Sequence, residues 1–201
     1  MFSGIIADTG VIARVEDRDG GLRIAVSAGT LDLGDVQIGD SIGVNGVCLT
    51  VVKKENNSFT VEVSRETLDC TVGLDVQGAP VNLEKALRMA DRLSGHLVSG
   101  HVDGVGEVVE FTDLVESWEL IVRAPSELGK FIATKGSITI NGVSLTVNEI
   151  SGNEFSVNLI PHTVAETNLK YLGAGSRVNL EVDLIARYVD RMMQDMQEQS
   201  Q

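Results

Sequence analysis

The chain has 201 residues, 43% of them hydrophobic, 22% charged and few aromatic, and 29 Asp plus Glu against 16 Lys plus Arg give a formal net charge of -13. This length holds one sizeable domain or two of about 90 to 100 residues; the composition excludes a disordered chain, and the charge, with no basic stripe, excludes nucleic acid and an anionic membrane surface as partners. No apolar run reaches the roughly 18 residues of a membrane span and the start, MFSGIIADTG, lacks the features of a signal peptide, so a cytoplasmic protein is expected, and Cys48 and Cys70 read as free thiols with no metal-type spacing.

In chain order, SIGVNGVCLTVVKK (41–54) and SFTVEVS (58–64) carry apolar and β-branched residues over strand lengths, with Asn-Gly at a turn position. Next, 84–93 (EKALRMADRL) spaces Ala86, Leu87, Ala90 and Leu93 as one side of a short helix, a bridge between two units. The strand texture returns in SITINGVSLTVNEI (137–150) and EFSVNLI (154–160). Finally, 184–197 places Leu184, Ile185, Tyr188, Val189, Met192, Met193 and Met196 at helical spacing, a stripe that either packs on the chain's own body or serves as an association surface.

The phrase NGVCLTVV at Asn45 returns as NGVSLTVN at Asn141, 96 positions later. The same shift carries Ser3-Gly4 onto Ser99-Gly100, Gly10 onto Gly106, Phe59 onto Phe155 and Thr67 onto Thr163, while VNLE at Val81 returns at Val178 with a shift of 97. Ordered matches at one shift mark duplication of a whole domain. The expected architecture is mainly β: each half, over 1–96 and 97–184, a small antiparallel barrel or sandwich, with barrel closure removing exposed edges, followed by a C-terminal α-helix and polar tail over 185–201.

Two related barrels offer two related pockets, and the positions where the repeats disagree are the informative ones. Cys48 faces Ser144, Ile5 faces His101, Glu66 faces His162, Gly39 faces Lys135, and His96 has no counterpart. Most titratable groups therefore sit on one copy, as expected if both bind but one supplies proton chemistry. On pattern alone His101 is either a proton carrier or a packing histidine, Cys48 is most simply a core thiol, and Ser144 and Thr146 either orient a ligand or bond the backbone.

The phrases MFSGII, NGVCLTV, SGHLVSGHVDG, KGSITINGVSLTVN, LIPHT and RVNLEVDLIARY together resemble riboflavin synthase of the α-chain type, with two lumazine-binding repeats, over residues 1 to about 193. The resemblance implies a transferase of riboflavin biosynthesis that dismutates two 6,7-dimethyl-8-ribityllumazine molecules into riboflavin and 5-amino-6-(D-ribitylamino)uracil without cofactor or metal. It implies two similar closed antiparallel six-stranded Greek-key barrels from the internal duplication and a homotrimer held by the C-terminal helices, with each reacting pair of pockets formed by two subunits, and raises association with a shell of lumazine synthase.

By matching motif, Gly4, Ile5, Ile6, Cys48, Leu49, Thr50, Glu62, Val63, Ser64, Arg65, Glu66 and Thr67 are expected to bind one lumazine. Gly100, His101, Val102, Lys135, Ser144, Leu145, Thr146, Asn158, Leu159, Ile160, Pro161, His162 and Thr163 are expected to bind the other. The resemblance implicates Cys48, His101, Ser144, Thr146 and Asp183 in catalysis, with His101, Ser144 and Thr146 as a proton relay and Cys48 as a ligand-facing thiol. The nucleophile that adds to C7 is open between water, a protein hydroxyl or thiol, and a ribityl hydroxyl. The sequence departs from many members at Asn141, where they have Asp. A non-catalytic lumazine- or flavin-binding protein of the same fold is the alternative; such proteins depart from the SGH phrase and replace the first-repeat Cys, both kept here.

Overall fold

Alternating burial in the first half produces six strands: β1 (Asp8–Arg18), β2 (Gly21–Ser27), β3 (Ser41–Val44), β4 (Val47–Lys54), β5 (Ser58–Ser64) and β6 (Pro80–Lys85). They close into a barrel in the order β1-β2-β5-β4-β3-β6, every pair antiparallel. The second half repeats this with β7 (Gly104–Asp113), β8 (Trp118–Arg123), β9 (Ser137–Ile140), β10 (Val143–Ser151), β11 (Glu154–Leu159) and β12 (Arg177–Val182), closed in the order β7-β8-β11-β10-β9-β12. Closure removes the free edges that so short a sheet would otherwise expose. This architecture, a computed structural model, describes residues 1–199; Ser200 and Gln201, the end of the expected polar tail, lie outside the described residues.

The two cores are filled from equivalent positions. Ile12, Ile24, Ile42, Phe59 and Leu83 are fully buried in the first barrel, and Val108, Leu120, Ile138, Phe155 and Leu180 take the matching places in the second. Each such side chain contributes about 1.5 to 3 kcal/mol by leaving water, so the duplicated pattern specifies two independent cores.

The repeated Asn-Gly pairs join β3 to β4 and β9 to β10. Asn45 and Gly46 have φ of 54° and 82°, Asn141 and Gly142 49° and 82°, the left-handed pair that a tight hairpin turn requires. These turns stand back to back: a Cβ on Gly46 would meet Gly142 N at 2.7 Å, and one on Gly142 would meet Gly46 N at 2.8 Å. Around them Asn82 Nδ2 donates to the Asn141 carbonyl and Asn179 Nδ2 to the Asn45 carbonyl, both at 3.0 Å. Asn168 closes the seam, donating its backbone N–H to Asn82 Oδ1 at 2.7 Å and its Nδ2 to Asn45 Oδ1 at 2.7 Å. Buried amides satisfied across a seam fix its register, because sliding would strand each of them. Asn141 belongs to this seam, where its Oδ1 accepts from Asn179 N at 2.9 Å.

The helix expected over 84–93 does not form. Glu84 and Lys85 pair with Gly43 and Ile42 as the end of β6, and Ala86 to Leu93 follow as irregular chain with a turn in which Asp91 N donates to the Arg88 carbonyl. Ala90 and Leu93 of the expected apolar stripe are exposed, as is Met89 beside them. Barrel closure needs the sixth strand, and tertiary pairing overrides a helical propensity that is only a weak prior. The expected terminal helix does form, as α3 (Leu184–Glu198), capped by Asp183 Oδ1, which accepts from Ile185 N at 2.9 Å. Two shorter helices, α1 (Arg65–Cys70) and α2 (Pro161–Glu166), follow β5 and β11 at equivalent places. Among the described residues no helix is long and apolar enough to cross a membrane.

Candidate active site

The repeated Ser-Gly pairs explain how the two barrels engage. Glu84, buried in β6, accepts through Oε1 from Ser3 N and Ser3 Oγ at 2.7 Å each and through Oε2 from Gly4 N at 2.9 Å. Glu181 in β12 holds Ser99 and Gly100 in the same way, at 2.7, 2.6 and 2.9 Å. Burial pushes the Glu84 carboxyl up, opposed by the bonds from Ser3 and Gly4.

Each clamped segment then crosses to the other barrel. The Gly4 carbonyl accepts from Ser144 N and the Gly100 carbonyl from Cys48 N, both at 2.8 Å. Here glycine is obligatory: a Cβ on Gly4 (φ 76°) would lie 2.6 Å from Ser144 Cβ, and one on Gly100 (φ 79°) 2.6 Å from Cys48 Cβ. Ile6 accordingly packs on the second core and Val102 on the first. The structure thus brings the Gly4–Ile6 segment to Ser144 and the Gly100–Val102 segment to Cys48, across the two groups that the resemblance implies.

Strand alternation sorts the remaining candidates. Cys48 and Thr50 on β4, and Ser144 and Thr146 on β10, face away from the cores, while Leu49 and Leu145 between them are buried. Glu62 and Ser64 face outward with Val63 inward, and Asn158 outward with Leu159 inward. Beyond these strands lie Arg65, Glu66 and Thr67 in α1, Ile160 as the residue before α2, and Pro161, His162 and Thr163 inside it. Lys135, exposed at φ 66°, occupies a left-handed conformation where the first repeat has Gly39 at 98°; a side chain kept at such a φ is strained, and strain of this kind gathers at functional sites.

The side chains expected as a proton relay are not brought together within the chain. Ser144 Oγ is bonded not by His101 but by His96, whose Nδ1 lies 2.8 Å away. Burial holds the His96 ring below its ordinary pKa, opposed by the carboxylates of Asp183 and Glu181. A neutral imidazole at neutral pH can take the hydroxyl proton. Its Nε2 is buried with no hydrogen-bond partner among the described residues. His101 is exposed, and its backbone carbonyl accepts from Arg187 at 3.0 Å. Sequence reasoning passed over His96; the signal was there, since it is the one histidine of the SGHLVSGH phrase without a counterpart. It also passed over Glu84 and Glu181, which the repeated VNLE marks as acids in apolar strands.

Among the described residues no group of His, Cys, Asp and Glu is arranged to hold a metal. A cavity of about 590 Å³ on the outer wall of the first barrel, among Arg14, Arg23, Val52 and Lys53, contains none of the candidate residues.

Two copies of the lumazine binding domain match this chain, over residues 3–86 and 99–183. The chain belongs to the lumazine-binding domain family. Family members similar to it include riboflavin synthase of Photobacterium phosphoreum, 46% identical over 96% of this chain and 89% of the relative. Riboflavin synthase of Brucella abortus is 42% identical over 96% and 98%, and that of Bacillus subtilis 39% identical over 96% and 90%. Among solved structures, LumP complexed with 6,7-dimethyl-8-(1'-D-ribityl) lumazine superposes with a TM-score of 0.81, and LumP complexed with riboflavin with 0.83, each at 28% identity over 90% of this chain and 99% of LumP.

Proposed function

We propose that this chain catalyses the dismutation of two 6,7-dimethyl-8-ribityllumazine molecules to riboflavin and 5-amino-6-(D-ribitylamino)uracil, as a cytoplasmic transferase. The observation that carries the reading is the pair of matching sites with unlike chemistry, Cys48 under Gly100 in one and the Ser144–His96 pair under Gly4 in the other. The family relatives named riboflavin synthase support it.

A reaction between two identical molecules suits two homologous sites. The four-carbon unit of one lumazine leaves its two ring nitrogens and forms two C–C bonds to the methyl carbons of the other; the two substrates contain all atoms of both products, so no outside oxidant enters. Much of the acceleration comes from holding two planar rings in reacting geometry. Neutral His96 accepts the Ser144 proton, which lets Ser144 Oγ draw a proton from the lumazine C7 methyl group or add to C7. Protonated His96 then returns it to the leaving nitrogen. Cys48, Thr50 and His101 line the partner site, and Lys135, Thr146 and Asn158 offer polar contacts to the ribityl chain and pyrimidine ring of the other.

The chain works as a homotrimer on this reading. Ile185, Tyr188, Met192 and Met193 are exposed on α3, a stripe too apolar for solvent. Joining these helices brings the Cys48–His101 site of one subunit to the Ser144–Thr146 site of its neighbour. The test is to mix purified protein with 6,7-dimethyl-8-ribityllumazine alone and follow both products by chromatography. Riboflavin and the pyrimidinedione appearing one for one bears the reading out; stoichiometric binding without product makes the chain a lumazine carrier.

A further inference from the structure

The segment that carries His101 is tied down twice. Its first tie, Glu181 on Ser99 and Gly100, is shared with the first repeat. The second is not. Arg187, in the first turn of α3, donates from one terminal nitrogen to the His101 carbonyl at 3.0 Å and to Asp103 Oδ2 at 2.8 Å. The same Asp103 oxygen accepts from Val182 N at 2.8 Å, the last residue of β12 before the helix cap. In the first repeat Ala7 stands at the place of Asp103 and Ala90 at that of Arg187.

The backbone does not need this second tie to hold its path. Ala7 N donates to the Leu83 carbonyl at 2.9 Å, and Asp103 N donates to the equivalent Leu180 carbonyl at 2.8 Å, with or without an ion pair beside it. What distinguishes the two segments is their cargo: Ile5 in one and His101 in the other. The pair is also sheltered, Asp103 keeping 14% of its side-chain surface exposed and Arg187 33%, so it is screened less than the surface pairs elsewhere on the chain. Burial raises the Asp103 carboxyl, the Val182 N–H and Arg187 pull it down, and nearby Glu181 raises it while the His101 ring lowers it.

We propose that Arg187 and Asp103 are positioning residues for His101, and that through them helix α3 sets the imidazole's place at the Cys48 site as well as presenting an association face. The planar guanidinium fixes the carbonyl of His101 and the carboxylate of Asp103 in one geometry, which a flexible ammonium reproduces only in part. The inference rests on the dismutase reading for what His101 does, but not for where it is held.

The test compares wild type with Arg187→Met, Arg187→Lys, Asp103→Asn, His101→Ala and the double variant His101→Ala/Arg187→Met. Riboflavin formation is measured at saturating lumazine, with mass by light scattering. Misplacement by about an ångström costs up to about a hundredfold in rate, so Arg187→Met is expected to lower kcat about ten- to a hundredfold with KM little changed, and Arg187→Lys to recover part of it. The double variant is expected to be no slower than His101→Ala alone. If the two losses multiply instead, Arg187 does not act through His101 and the proposal falls. Should Arg187→Met change the mass, Asp103→Asn carries the same comparison with the helix intact.

A readout independent of turnover is the Cε1–H resonance of His101 in protein labelled with 13C-histidine, assigned by its loss in His101→Ala. It is expected to shift in Arg187→Met and Asp103→Asn while those of His96 and His162 stay in place. An unmoved His101 resonance overturns the proposal even where rates fall. A shifted one with a wild type that makes no riboflavin upholds the positioning and refutes the dismutase reading.

Discussion

His96 Nδ1 and Ser144 Oγ meet at 2.8 Å across 48 positions of sequence. Among the described residues the contact is made on one side of the duplicated molecule, with Cys48 at the strand position equivalent to Ser144. The two sites share backbone and differ in acid-base equipment.

Ser144→Ala and His96→Asn should each lower riboflavin formation by about 10² to 10⁴, the usual contribution of a positioned general acid or base, while lumazine affinity from fluorescence titration changes only a few-fold. The double variant should lose little more than either single one, since the pair acts as a unit. Equal losses of binding and turnover would assign both residues to ligand contact.

The His96 ring also sets a pH dependence. Its folded pKa is depressed by burial from 6.5, so its contribution to stability is complete above the unfolded value and is lost as pH falls through the folded one. Wild type should therefore lose melting temperature relative to His96→Asn on acidification below about 6.5 and hold a constant difference above it. A difference between the two melting curves that stays flat down to pH 5 would contradict this. Glu84 and Asp103 act in the opposite sense: their carboxyls are raised by burial, so their contribution is complete below the unfolded carboxylate values and is lost as pH rises through the folded ones.

Gly100→Ala should be far more damaging than Gly175→Ala, although both glycines have positive φ, 79° and 84°. Nothing lies within 4 Å of a Cβ at Gly175, whereas one at Gly100 would meet Cys48 Cβ at 2.6 Å and Cys48 N at 2.8 Å. The first change costs the backbone strain alone, about 1 kcal/mol, the second about 3 kcal/mol or more. At roughly 2 to 4 °C per kcal/mol for a chain of this size, thermal melts separate them, and equal shifts would refute the close approach.

Tyr188→Asp together with Met192→Asp should reduce the assembly to single chains by light scattering while far-UV circular dichroism of the barrels is kept. These residues are exposed on α3, and a charge in an apolar seam between helices is left unpaired. Substitution is a cleaner test than truncation after Asp183, which would also remove Arg187 and its bonds to His101 and Asp103. An unchanged mass would remove α3 from the association surface.

The sequence determined what depends on local pattern and on repetition. Strand alternation and a 96-residue shift gave two strand-built units with matching cores, down to Phe59 and Phe155, because a side chain's face in a strand follows from its position alone. The Asn-Gly pairs were legible as turns, and α3 as an amphipathic helix. Only the tertiary structure decided which segments meet. The chain at 84–93 has helical spacing, yet Glu84 is drawn into β6 by barrel closure and by the amides of Ser3 and Gly4. The Ser-Gly segments cross to the opposite barrel, which exchanges the partners of Ile5 and His101 and puts His96 rather than His101 on Ser144. Such pairings are set by hydrogen bonds between residues far apart in the chain, satisfied only once both barrels have closed, and no periodicity along one strand records them.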